Sequence, residues 1–195
     1  MSVTFAASMF PPLALGFFGL GTGYLIWGTQ ELFGFPKRDE RVDRSLGVWG
    51  LWMPGLCQLV TGLILFVGLT WIQVFSSDRT LYMAALAFSA YGIHWLALGW
   101  NRYRGNDPRP NLGMSIAFTI ISALGVTVFF HAGDWPVGLL FIGLALVYVT
   151  DFFVVLGLKP FESILGLVRL VTGLWLMYLT FAVTLNFAAG FHLTV

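Results

Sequence analysis

Residues Ala84–Leu98 read AALAFSAYGIHWLAL. The stretch is apolar enough to lie in lipid, yet it carries Ser89, a tyrosine hydroxyl at Tyr91 and an imidazole at His94. Polar side chains are costly at membrane depth, so they usually face a bundle interior or a pathway. The segment therefore reads as one helix of a membrane protein, and the rest of the chain agrees. Of 195 residues, 58% are hydrophobic and only 10% are charged, against about 25% charged in a soluble domain. Several runs approach or exceed the roughly 20 apolar residues that cross a bilayer.

The expected architecture is an all-α membrane protein, a six-transmembrane-helix bundle forming one domain over 1–195. The spans fall near 12–30, 47–70, 80–100, 112–131, 136–158 and 162–187. The second has room to run on to Val74. PKRDERVDR (36–44) reads as a charged loop, SSDR (76–79) as a short turn, and NRYRGNDPRPN (101–111) as a polar loop. HAGDWP (131–136) is a turn, and Pro160 in LKPFE breaks the last connection. The start, MSVTFAASMFPP, has no basic n-region and does not read as a cleaved signal peptide.

Charge sets an orientation. Lys37, Arg38, Arg41, Arg44, Arg102, Arg104, Arg109 and Lys159 fall on one side of the six spans, and Arg79 on the other. The positive-inside rule puts the first group in the cytoplasm and both termini outside. The net charge of +1 gives no support for a nucleic-acid partner. A single cysteine, Cys57, excludes a disulfide framework within one chain. No HExxH, CxxC or strand-borne GxGxxG is present, so no enzyme, metal or cofactor is expected.

Small residues recur at helical spacing: Gly16, Gly19 and Gly23; Gly55 and Gly62 around Gln58; Gly166 and Gly173 around Arg169. Such stripes let helices approach closely. Asp151 and Arg169 are full charges well inside apolar runs. They flank Pro160 by nine residues on either side, which at 1.5 Å per residue places both about 13 Å from the turn. Antiparallel neighbours put them at matching depth, so a structural ion pair is expected; a proton relay or an anion-attracting arginine is the alternative. The Gln58 amide offers a donor and an acceptor to a substrate or to another span. His94 follows Tyr91 by three residues on about the same face and reads either as a hydrogen-bonded core group or as a proton-handling one.

These residues resemble the acetate uptake transporter family, the succinate–acetate permease group. Pro12-Leu-Ala-Leu-Gly-Phe-Phe-Gly-Leu-Gly21 is similar to its NPAPLGLxGFG-like first-span motif, with Pro11 at the asparagine position. Gly55-Leu-Cys-Gln58-Leu-Val-Thr-Gly62 fits its G-x-x-Q-x-x-x-G pattern. Ala87-Phe-Ser-Ala-Tyr91-Gly-Ile-His-Trp95 resembles its AF[ST]SYGxFW-like signature, with His94 at an aromatic position. Leu139-Leu-Phe-Ile-Gly-Leu144-Ala-Leu-Val-Tyr148 and Gly173-Leu-Trp-Leu-Met-Tyr-Leu-Thr-Phe-Ala-Val-Thr-Leu-Asn186 are similar to its fifth- and sixth-span runs.

The resemblance implies a hexamer in the plasma membrane, each six-helix protomer carrying acetate or a similar small monocarboxylate. It places a pathway constriction at Leu20 (where the family has Phe), Tyr91 and Leu144. Gln58 is implied near substrate, and Ser89 and His94 join it as candidate substrate-binding groups. Familiar members keep their termini in the cytoplasm, opposite to the charge count here. Asp151 and Arg169 lie outside the family pattern. The leading reading is a passive or proton-coupled pathway for small carboxylates. The alternatives are a non-transporting membrane subunit and, more weakly, an intramembrane enzyme using His94 with Asp151.

Overall fold

The computed structural model describes residues 8–75 and 78–195. Most of the chain start read above for a signal peptide, and half of the SSDR turn, lie outside the described residues. In lipid the backbone must satisfy its own hydrogen bonds, so apolar runs become helices. Six helices follow in order: α1 (Phe10–Phe33), α2 (Glu40–Thr70), α3 (Thr80–Arg104), α4 (Asn111–His131), α5 (Trp135–Val155) and α6 (Pro160–Ala189).

Five of them, α2 to α6, are long and apolar enough to cross a membrane. The exception among the six expected spans is α1. Its 24 residues suffice in length, but Pro11, Pro12 and five glycines dilute its apolar character. One face of this helix is deeply buried: Phe17, Leu20, Tyr24 and Trp27 are each at most 5% exposed. It packs most extensively along α6, while α2 lies on α3 and α4 on α5.

The charged segment 36–44 is a loop only in its first part, and the expectation is corrected there. Asp39 accepts from the Val42 amide at 2.9 Å and caps a helix that begins at Glu40. Glu40 and Asp43 then sit in the first turn, where the helix dipole favours negative charge. Nor does α2 run on to Val74: it ends at Thr70, and the Phe75 amide returns to the Gly68 carbonyl at 3.2 Å.

Within α2, residues Leu51–Leu56 form a π-helical turn around Pro54. Proline has no N–H and its ring crowds the preceding turn, so the ladder widens there. The turn is where α1 comes closest: a Cβ on Gly23 would lie 2.7 Å from the Pro54 ring. On the other side of α2, a Cβ on Gly92 of α3 would lie 2.4 Å from the Leu59 amide nitrogen. Absent side chains at these points let three helices converge around Gln58.

The exterior is apolar. Ile116, Ile120 and Leu124 of α4, and Leu167, Val171, Leu174 and Phe181 of α6, are all exposed. Such a surface suits lipid, and the chain is a multi-pass membrane protein.

Candidate functional site

A cavity of about 120 Å³ lies inside the bundle, large enough for several waters or a small organic solute. Four residues singled out in the sequence line it together: Leu20 of α1, Gln58 of α2, Tyr91 of α3 and Leu144 of α5. Its walls are mostly apolar and include Phe17, Phe88 and Phe141. Its other end is marked by Met9, Asp78, Thr80, Asp134 and Val195, which all stand at helix starts or at the chain end. The cavity therefore leads from the side of the bundle that carries the start of α1 and the end of α6 down to the leucines.

Gln58 is fully buried, and both its Nε2 and its Oε1 lack a hydrogen-bond partner among the described residues. Leaving a buried amide unmatched costs about 1–3 kcal/mol per group, and this one stands in the cavity wall. Tyr91 is differently placed. Its hydroxyl lies 2.8 Å from Ser122 Oγ. Ser122 in turn donates its single proton to the Phe118 carbonyl at 2.7 Å. Both bonds are made only if Tyr91 donates to Ser122, which leaves the phenol oxygen as an acceptor. The Tyr91 ring stacks on Tyr148 with centroids 5.7 Å apart and planes 6° from parallel.

At the mouth, Asp78 accepts from Thr80 through its amide at 3.0 Å and its hydroxyl at 2.5 Å. Asp134 caps α5 by accepting from the Val137 amide at 3.1 Å. Burial pushes the Asp134 carboxyl above its ordinary value, opposed by the Val137 amide and assisted by the charge of Asp78. Among the described residues, neither lysine nor arginine lines the cavity.

Ser89 and His94 lie elsewhere. Ser89 sits where α3 meets Gly62 of α2, with its Oγ 2.2 Å from where a Gly62 Cβ would be, and it does not line the cavity. His94 Nδ1 is 3.4 Å from the Tyr148 hydroxyl, behind the Tyr91–Tyr148 stack. On its other side it borders a shallow apolar groove between α3 and α4. It makes no hydrogen bond to Asp151 among the described residues, as an acid–base pair between them would require.

A second polar region occupies the opposite end of the bundle. Arg169 of α6, 5% exposed, pairs with Glu31 of α1, and its Nη2 is 3.6 Å from Asp151 Oδ1 of α5. Ser115 of α4 donates to Asp151 Oδ2 at 2.6 Å. The Trp27 ring lies between two guanidinium groups, 5.6 Å from that of Arg169 and 4.5 Å from that of Arg102. Arg102 of α3 pairs with Asp43 of α2 at 2.8 Å and donates to Gln30 of α1. One network thus ties all six helices.

Sequence reasoning missed Glu31, because the first span was ended at residue 30. Its adjacency to Gln30 at the end of an apolar run was the available signal. The lining phenylalanines and Ser122 had none, since nothing in an apolar helix marks which phenylalanine or serine turns inward.

A bundle of apolar helices around an internal cavity defines a class, the multi-pass membrane proteins with a solute-sized chamber. Neither a family model nor a curated protein matches the chain. Among solved structures it is similar to the bacterial acetate channel SatP, with a TM-score of 0.69 over 94% of this chain and 96% of that one. The two are 18% identical, so the likeness is one of fold. At that level it bears out the resemblance to the acetate uptake transporter family drawn from the motifs.

Proposed function

We propose that this protein is a membrane channel or transporter for acetate or a similar small monocarboxylate, passive or proton-coupled, with one pathway per protomer. The observation that carries the reading is the convergence of Leu20, Gln58, Tyr91 and Leu144, from four separate helices, on one cavity. The shared fold with a protein described as an acetate channel supports it. In this reading Leu20, Tyr91 and Leu144 form the constriction, where apolar walls exclude hydrated ions by dewetting. Gln58 and the Tyr91 oxygen replace part of the solute's hydration. Asp151 and Arg169 hold the far end together as an ion pair, with Glu31 as a third member, and His94 supports the Tyr148 side of the aromatic stack.

The same reading takes α1 as the sixth span of a single domain, shielded from lipid on its buried face by its neighbours. It places the protein in the plasma membrane as a homo-oligomer, a hexamer, whose apolar outer faces meet lipid or other copies.

The test is uptake of labelled acetate into proteoliposomes, with and without a pH gradient. The expected result is saturable entry above that of empty vesicles, lowered by substitutions at Tyr91. Equal entry into empty vesicles would reject transport and leave a non-transporting membrane subunit.

A further inference from the structure

The polar atoms of the cavity are arranged for a solute of particular chemistry. Gln58 stands in the cavity wall, and its side chain holds two N–H donors on Nε2 and an acceptor, Oε1, neither atom partnered among the described residues. Tyr91 adds a second acceptor, because its proton is committed to Ser122. The cavity's inner polar wall therefore combines the two N–H donors of one amide with two acceptor oxygens. A carboxylate anion has acceptors alone, and among the described residues no cation lines the cavity to offset its charge. Two carboxyl groups, Asp78 and Asp134, stand at the entrance instead. A charge taken into such an apolar chamber without a partner is strongly disfavoured.

We propose that the cavity admits small uncharged solutes bearing a donor beside an acceptor, and that it carries small primary amides such as acetamide as well as the protonated carboxylic acid. The inference rests on the pathway reading above and extends its substrate class. A primary amide has two N–H donors and one carbonyl. Its carbonyl accepts from Gln58 Nε2, and its two N–H groups find Gln58 Oε1 and the Tyr91 oxygen. The protonated acid makes the first of these bonds and one of the other two. The methyl group of either solute faces the walls formed by Leu20, Phe88 and Leu144.

The experiment uses the full chain in proteoliposomes, with acetamide entry followed by stopped-flow light scattering and labelled acetate entry measured beside it at neutral pH. Acetamide should enter severalfold faster than into empty vesicles. Gln58→Leu, which removes donor and acceptor together, should lower that rate by roughly tenfold. Replacing both mouth carboxylates, Asp78→Asn with Asp134→Asn, should raise the ratio of acetate to acetamide entry severalfold, because asparagine keeps the caps and removes the charges. Acetate entry without acetamide entry would overturn the proposal and leave the pathway standing. Entry of neither solute would overturn both. An acetate-to-acetamide ratio unmoved by the two asparagines would overturn the role given to the mouth, and a wild-type rate in a folded Gln58→Leu protein would overturn the role given to the amide.

Discussion

The two polar regions of this bundle differ in how their groups are matched. At the far end, Arg169 joins Glu31 and Asp151, Ser115 joins Asp151, and Arg102 joins Asp43, with the Trp27 ring near both guanidinium groups. In the cavity wall, Gln58 is as deeply buried as any of them, yet neither of its polar atoms has a hydrogen-bond partner among the described residues. A buried charge removed from its partner costs several kcal/mol, so a matched network locks helices together. An unmatched amide costs stability and persists where a site is built around it. Ion pairs mark the far end, and an amide with neither polar atom partnered marks the cavity wall.

That contrast is open to attack, most strongly at Arg169. Arg169→Met leaves Glu31 and Asp151 buried without their cation and should cost about 3–5 kcal/mol, seen as a large fall in the thermal unfolding midpoint in detergent. A variant as stable as the wild type would show that the far end is no clamp. Removing one acid alone, Glu31→Gln, should cost less, because Asp151 remains to pair. Gly92→Leu attacks the packing that brings α3 to the Gln58 side of α2. Its side chain would run into the Leu59 backbone, and overpacking of this kind costs about 1–3 kcal/mol.

Changes inside the cavity should act on flux more than on stability. Tyr91→Phe leaves Ser122 bonded to the Phe118 carbonyl, so its stability cost should be about 1 kcal/mol, while solute entry falls. A stability loss as large as that of Arg169→Met would place Tyr91 in the clamp. Leu20→Phe introduces the aromatic that the family resemblance leads one to expect, and should narrow the cavity and slow entry with the protein still folded. The smallest effect belongs to the exposed ion pair of Arg38 and Glu162, 3.5 Å apart. Glu162→Gln should change stability by less than about 1 kcal/mol and should leave entry as it was.

Much of this molecule is legible in its residues. The spans follow from apolar runs, because lipid leaves the backbone no other way to satisfy its hydrogen bonds. The depth of Asp151 and Arg169 follows from counting residues to Pro160. Gln58, Tyr91 and Leu144 are reachable through motif resemblance, and Leu20 by alignment to a different residue. The helical start at Glu40 was hidden by its charges, which look like a loop until Asp39 is recognised as a cap. Glu31 lies one residue past the expected end of the first span, inside a helix that runs on to Phe33.

By itself the sequence determined a membrane protein of apolar helices, the polar residues that must turn inward, and the glycines that let helices meet. Only the tertiary structure decided which of those polar residues share a space. Gln58 and Tyr91 meet at one cavity, Ser89 is absorbed by the packing against Gly62, and His94 stands behind an aromatic layer. The physical reason is that helical periodicity gives each residue a face, whereas the rotation and approach of neighbouring helices decide what that face meets. Here close contacts at Gly23 and Gly92 set that approach.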